Sequence, residues 1–117
     1  MPFKTREDHL ESYRQRASAA QGRASQAFAR LLYLAEHRNS GQVRTVVQLL
    51  ASTYNGQSSP FDLFNLRSVD VQISDDLLLC LDALRWGKAD LYNLVPDGDR
   101  RTKNVINDWD LKWPEVF

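Results

Sequence analysis

Pro60-Phe-Asp-Leu-Phe-Asn-Leu-Arg-Ser-Val-Asp-Val-Gln-Ile-Ser74-Asp-Asp-Leu-Leu-Leu-Cys80-Leu-Asp-Ala-Leu-Arg-Trp-Gly87 carries a helix start signal, an apolar helical stripe and a stop signal in that order. The hydroxyl of Ser74 suits the free backbone N–H groups of a first helical turn. Asp75 and Asp76 then fall where the helix dipole favours negative charge. Leu77, Leu78, Leu81 and Leu84 follow at helical spacing, and Gly87 is the residue type that closes a helix. This stretch predicts a helix from Ser74 that buries one face in a core.

Upstream of it, Phe61 to Leu66 reads as a short helical turn with Asp62 near its start. Val69, Val71 and Ile73 alternate with Ser68, Asp70 and Gln72, the period of a half-buried strand. No second strand pattern occurs to pair with it, and an isolated strand is unstable. The expectation is an extended connector that packs three β-branched residues into the core.

Two further helices precede this region. Val43, Val46, Val47, Leu50 and Tyr54 follow 3-4 spacing, between Asn39-Ser40-Gly41 and Asn55-Gly56, the latter suited to a left-handed helix end. Leu10, Tyr13, Ala17, Ala20, Ala24, Phe28, Leu31 and Ala35 mark one face of a helical pattern between Thr5 and His37. Gly22 weakens its middle by about 1 kcal/mol relative to Ala, which predicts a break near Gly22–Ser25 with Ser25 capping a new helix. Downstream, Ala89–Val95 reads as a short helix, Pro96-Asp97-Gly98-Asp99 as a turn, and Asp99–Trp109 as a last helix burying Val105, Ile106 and Trp109. The fold class expected is all-α: a compact bundle of four to five helices with an N-terminal helical or partly disordered extension. Residues 1–24 form the polar extension in this reading, and residues 25–117 a single helical domain.

Composition bounds the rest. A chain of 117 residues suits one domain, enough to bury roughly two-thirds of its unfolded surface. No uninterrupted apolar run exceeds the five residues of Leu77 to Leu81, far short of a membrane span, and no secretory signal is visible at the N-terminus. A single cysteine, Cys80, excludes an intrachain disulfide and fits a reducing, cytoplasmic compartment. The formal net charge is zero, yet residues 1–50 hold eight Lys/Arg against four Asp/Glu, and residues 51–117 hold seven against eleven. Such asymmetry fits attraction between the two halves of the fold, contact between two copies, or a surface for an anionic partner.

Phe61-Asp62-Leu63, Leu66, Val69-Asp70, Ile73 and Asp75-Asp76-Leu77, with Ala27-Phe28-Ala29-Arg30-Leu31-Leu32 before them, carry a resemblance. Over residues 27 to 90 the chain resembles a small proteobacterial family of unknown function. That likeness implies a setting in bacterial mobile elements. It carries no active-site residue over, because the family has none assigned.

Each candidate for chemistry has a structural explanation in the pattern. Cys80 sits among leucines, a context that raises a thiol's pKa and hides it. His9 and His37 are not spaced as metal ligands. Asp62, Asp70, Asp75 and Asp76 form the one local concentration of carboxylates that, brought together, would hold a divalent cation or work as acid and base. Each also suits a cap, a turn or a first helical turn. No phosphate-binding loop or nucleophile elbow is present. No catalytic, cofactor-binding or metal residue is assigned, and no cofactor is expected.

Two surfaces point to binding. Trp113 and Phe117, in the apolar tail after the last helix, are residue types enriched at protein interfaces. Arg16, Arg23 and Arg30 recur every seven residues, which on a straight helix keeps them in one stripe able to follow phosphates. The expected function is therefore non-enzymatic: binding of a protein partner, or self-association, through Trp113 and Phe117. The alternative is an accessory role in which Arg16, Arg23 and Arg30 bind nucleic acid. No membrane partner is expected.

Overall fold

The structure, a computed structural model, describes residues 6–57, 59–87 and 89–109. Its elements in chain order are helix α1 (Arg6–His37), helix α2 (Gly41–Tyr54), a 3-10 helix (Leu63–Ser68), helix α3 (Val71–Leu84), a second 3-10 helix (Leu91–Leu94) and helix α4 (Gly98–Asp108). The described residues contain no strand, so the all-α bundle is the fold. No helix among them is long and apolar enough to cross a membrane.

The apolar stripes meet in one core. Phe28, Leu31 and Leu32 of α1 pack with Val46, Val47 and Leu50 of α2, Leu77 and Cys80 of α3, Leu91 of the second 3-10 helix and Val105 of α4. Each of these side chains is almost wholly removed from water. Burial of this kind is worth about 1.5–3 kcal/mol per large aliphatic or aromatic side chain.

Gly22 does not break α1, which runs unbroken through Gly22–Ser25. Tertiary contacts hold it there. Ala17 and Ala20 before Gly22, and Ala24 and Ala27 after it, are all buried against the bundle. Ser25 is not a cap: its hydroxyl donates to the carbonyl of Leu94 at 3.0 Å, tying α1 to the second 3-10 helix. Leu10 and Tyr13, expected on the buried face, are exposed.

α3 begins three residues before the expected Ser74. Gln42 of α2 accepts the backbone N–H of Asp70 at 2.6 Å and donates to its carboxylate at 3.3 Å, and the carbonyl of Asp70 accepts from Ser74 N–H at 2.9 Å. Asp70 thus takes the N-cap position. The strand-like alternation is overridden from Val71 onward: Val71 is the first helical residue and is 73% exposed, while Val69 and Ile73 reach the core. Ser74 lies within the first turn and donates to the carbonyl of Val71 at 2.9 Å.

The remaining ends show one match and one departure. Gly87 closes the α3 region with a φ of 62°, as its residue type predicts. Asn55 is extended rather than left-handed, its N–H bonded to the carbonyl of Ala51 at 2.9 Å. At the other side of the bundle the indole N–H of Trp109 donates to the carbonyl of Ala35 at 3.1 Å. That carbonyl lies in the last turn of α1, where intrahelical partners run out.

Candidate protein-docking surface

The arginines at sevenfold spacing lie along the seam between α1 and α3. Arg16 stacks over the ring of Trp86 with its guanidinium carbon 5.1 Å from the ring centre. Arg23 lies 3.7 Å from the carboxylate of Asp82, and Arg30 makes a forked pair with Asp76 at 3.0 and 2.7 Å. Partners descend from 86 to 76 as the arginines ascend from 16 to 30, so the two helices run antiparallel. The basic first half and acidic second half thus attract each other within the fold. Asp76 raises the pKa of Arg30 through the hydrogen bond and the charge, against the desolvation that lowers it. The carboxylate of Asp82 is held below its usual range, first by its bond to Arg85 and further by Arg23.

The four aspartates do not converge. Asp62 caps the first 3-10 helix by accepting from Phe64 N–H at 2.9 Å, Asp70 occupies the N-cap position of α3 with its carboxylate bonded to Gln42, Asp76 holds Arg30, and Asp75 is exposed. Among the described residues no group of three or more His, Cys, Asp or Glu side chains is placed to hold a metal ion. Cys80 is buried, and desolvation pushes its thiol up to about 12. His37 stacks on Tyr33 at 4.1 Å, and His9 is exposed on α1. Trp113 and Phe117 lie outside the described residues.

What the arrangement does offer is a knob and a hole. The hole is a groove of about 440 Å³ between α1 and α3, lined by Ala29, Tyr33 and Leu34 on one side and Ile73 on the other, with Arg30, Gln72 and Asp76 supplying its polar atoms. Tyr33 stands 54% exposed at its edge. Asp75 joins Arg30, Gln72 and Asp76 around an adjoining depression.

The knob is the first 3-10 helix. Leu63 is 64% exposed and Phe64 is 70% exposed, and the guanidinium of Arg67 sits 5.1 Å above the phenyl ring. This tip is fixed from below. Phe61, Leu66 and Val69 pack against the core, Asp62 caps the turn, and Ser68 donates to the carbonyl of Asn65 at 2.7 Å. Leu63 and Phe64, adjacent and held out into water on a braced turn, offer apolar surface that a partner can cover.

Sequence reasoning found Phe61-Asp62-Leu63 as a motif but assigned it packing and capping alone. It missed the tip because exposure of Leu63 and Phe64 depends on which face of a short 3-10 turn meets the core. It missed the groove because the four residues of α1 and the three of α3 that line it are separated by some forty positions in the chain.

Residues 25–110 match a family of unknown function, DUF7673. No curated protein and no solved structure matches this chain. The chain belongs to the DUF7673 family.

Proposed function

We propose that this member of the DUF7673 family is a non-enzymatic protein that works by docking another polypeptide in the groove between α1 and α3. The observation that carries the reading is the pairing of an apolar groove, edged by the exposed Tyr33, with charged groups at one side. Apolar surface of that kind gains on being covered, and the polar rim fixes orientation.

The chemistry around the groove supports binding over catalysis. Arg30 and Asp76 satisfy each other, and the nearby thiol of Cys80 is buried with a pKa far above neutrality. An activated nucleophile needs the reverse, a depressed pKa beside a base. The single cysteine supports a cytoplasmic setting. A bacterial mobile element as the source is part of the same proposal and rests on the resemblance of residues 27 to 90 alone.

A photo-crosslinking residue at Tyr33, with a second variant carrying it at the exposed Ser18 as control, tests the reading in cells. A polypeptide adduct at Tyr33 that Gln72→Arg removes, and that the control lacks, is the expected result. Absence of any adduct specific to Tyr33 would overturn the docking role.

A further inference from the structure

We propose that the occupant of the groove is a second copy of this chain, whose Leu63–Phe64 tip inserts between α1 and α3 with Arg67 meeting Asp75. The inference rests on the docking role just proposed and names its partner.

Size supports it first. A dry apolar cavity of about 150 Å³ already accepts benzene. A groove of about 440 Å³ therefore has room for the phenyl ring of Phe64 together with the side chain of Leu63. The walls have matching chemistry, since Ala29, Tyr33, Leu34 and Ile73 would surround the ring, and an aromatic pair with Tyr33 adds to simple burial.

Charge supports it independently. The tip brings its own cation, because Arg67 lies over the face of Phe64 and travels with it. The groove is bordered by carboxylates, and of these Asp76 is already engaged by Arg30 while Asp75 is exposed. Arg67 accompanies an inserted Phe64 and is opposite in charge to Asp75, so insertion with Arg67 turned towards Asp75 adds an ion pair at the groove edge. The tip needs no rearrangement to do so, as Asp62, Asn65 and Ser68 already hold it in an outward conformation. Both halves of the match belong to one chain, which singles out a second copy as the partner. The contact is small, so association in the micromolar range or weaker is expected.

Sedimentation velocity of the full chain, from low micromolar to near-millimolar concentration, tests the proposal. The weight-average mass should rise with concentration. Phe64→Ala should weaken association at least about tenfold, as loss of a buried aromatic anchor does. Arg67→Asp and Asp75→Arg should each weaken it by a similar factor. The double variant Arg67→Asp/Asp75→Arg should restore association to within about threefold of the parent, which a merely structural role for either residue would not produce. All three sites are exposed, so each variant is expected to fold, and circular dichroism checks this. A chain that stays monomeric throughout overturns the proposal, as does self-association indifferent to Phe64, Arg67 and Asp75. If the Tyr33 crosslink then captures a different protein, the docking role stands without self-association. If it captures nothing, both fall.

Discussion

Arg30 and Asp76, 46 positions apart in the chain, meet in a forked ion pair with nitrogen–oxygen distances of 3.0 and 2.7 Å. The pair joins the C-terminal third of α1 to the first half of α3 and lines the groove that divides them. With Arg23–Asp82 and Arg16–Trp86 it makes a ladder along the seam. The ladder accounts for the sevenfold arginine spacing without an external anion.

Removing one member of the pair has an asymmetric cost. The Asp76 side chain is only 14% exposed, against 54% for Arg30, so Arg30→Ala leaves a largely buried carboxylate without its donor. A loss of about 1–3 kcal/mol is expected, measurable by urea denaturation. Arg30→Ala/Asp76→Ala should recover at least half of it, because no stranded charge remains.

Gly98 and Gly22 should respond in opposite directions to alanine. A Cβ on Gly98 would lie 1.9 Å from the carbonyl oxygen of Tyr92 and 2.8 Å from Val95, so the second 3-10 helix would have to move off α4. Gly98→Ala is expected to destabilise by about 4 kcal/mol or more, within the range that marks a broken close contact. A Cβ on Gly22 meets nothing within 4 Å, and the residue is helical and exposed. Gly22→Ala should therefore stabilise by about 0.5–1 kcal/mol, read as a raised Tm.

Cys80 should be inert in the folded protein. With its pKa pushed up to about 12 by burial, the thiol stays protonated at neutral pH, and the buried sulfur is out of reach of reagent. A thiol-labelling time course should show no fast phase without denaturant and a rate that follows unfolding as denaturant is added.

The pair between Glu36 of α1 and Arg101 of α4 gives a pH signature. Its oxygen–nitrogen distances are 3.1 and 2.6 Å, and the bond to Arg101 is the main cause of the lowered pKa of Glu36. A depressed carboxylate pKa contributes stability above the unfolded-state value, and that contribution is lost as pH falls through the folded-state value. Glu36→Gln should thus be less stable than the parent at pH 7 by about 0.5–1 kcal/mol, and the difference should shrink below about pH 4.5. Thermal unfolding of both proteins across that range checks it.

The parts of this fold legible in the sequence are those set by local periodicity. Val43 to Leu50 and Leu77 to Leu84 declare helices because their apolar spacing is long and regular. The start of α3 was hidden because Gln42, on another helix, supplies the hydrogen bonds that make Asp70 its cap. The continuity of α1 through Gly22 was hidden for a similar reason, since buried alanines on both sides outweigh a local propensity of about 1 kcal/mol. The arginine repeat was visible, but its partners Asp76 and Asp82 on α3, and Trp86 in the turn after it, are brought alongside α1 by an antiparallel placement that only the fold reveals. Of the candidate surface, the Phe61-Asp62-Leu63 motif was visible and its outward face was not.

Hydroxyl-radical footprinting at low and high micromolar concentration reads side-chain exposure on the knob and in the hole together. Self-association through the tip predicts that Phe64 and Tyr33 become less reactive as concentration rises while Tyr13, exposed elsewhere on α1, stays unchanged. Constant reactivity at both Phe64 and Tyr33, or protection confined to other surfaces, would contradict it.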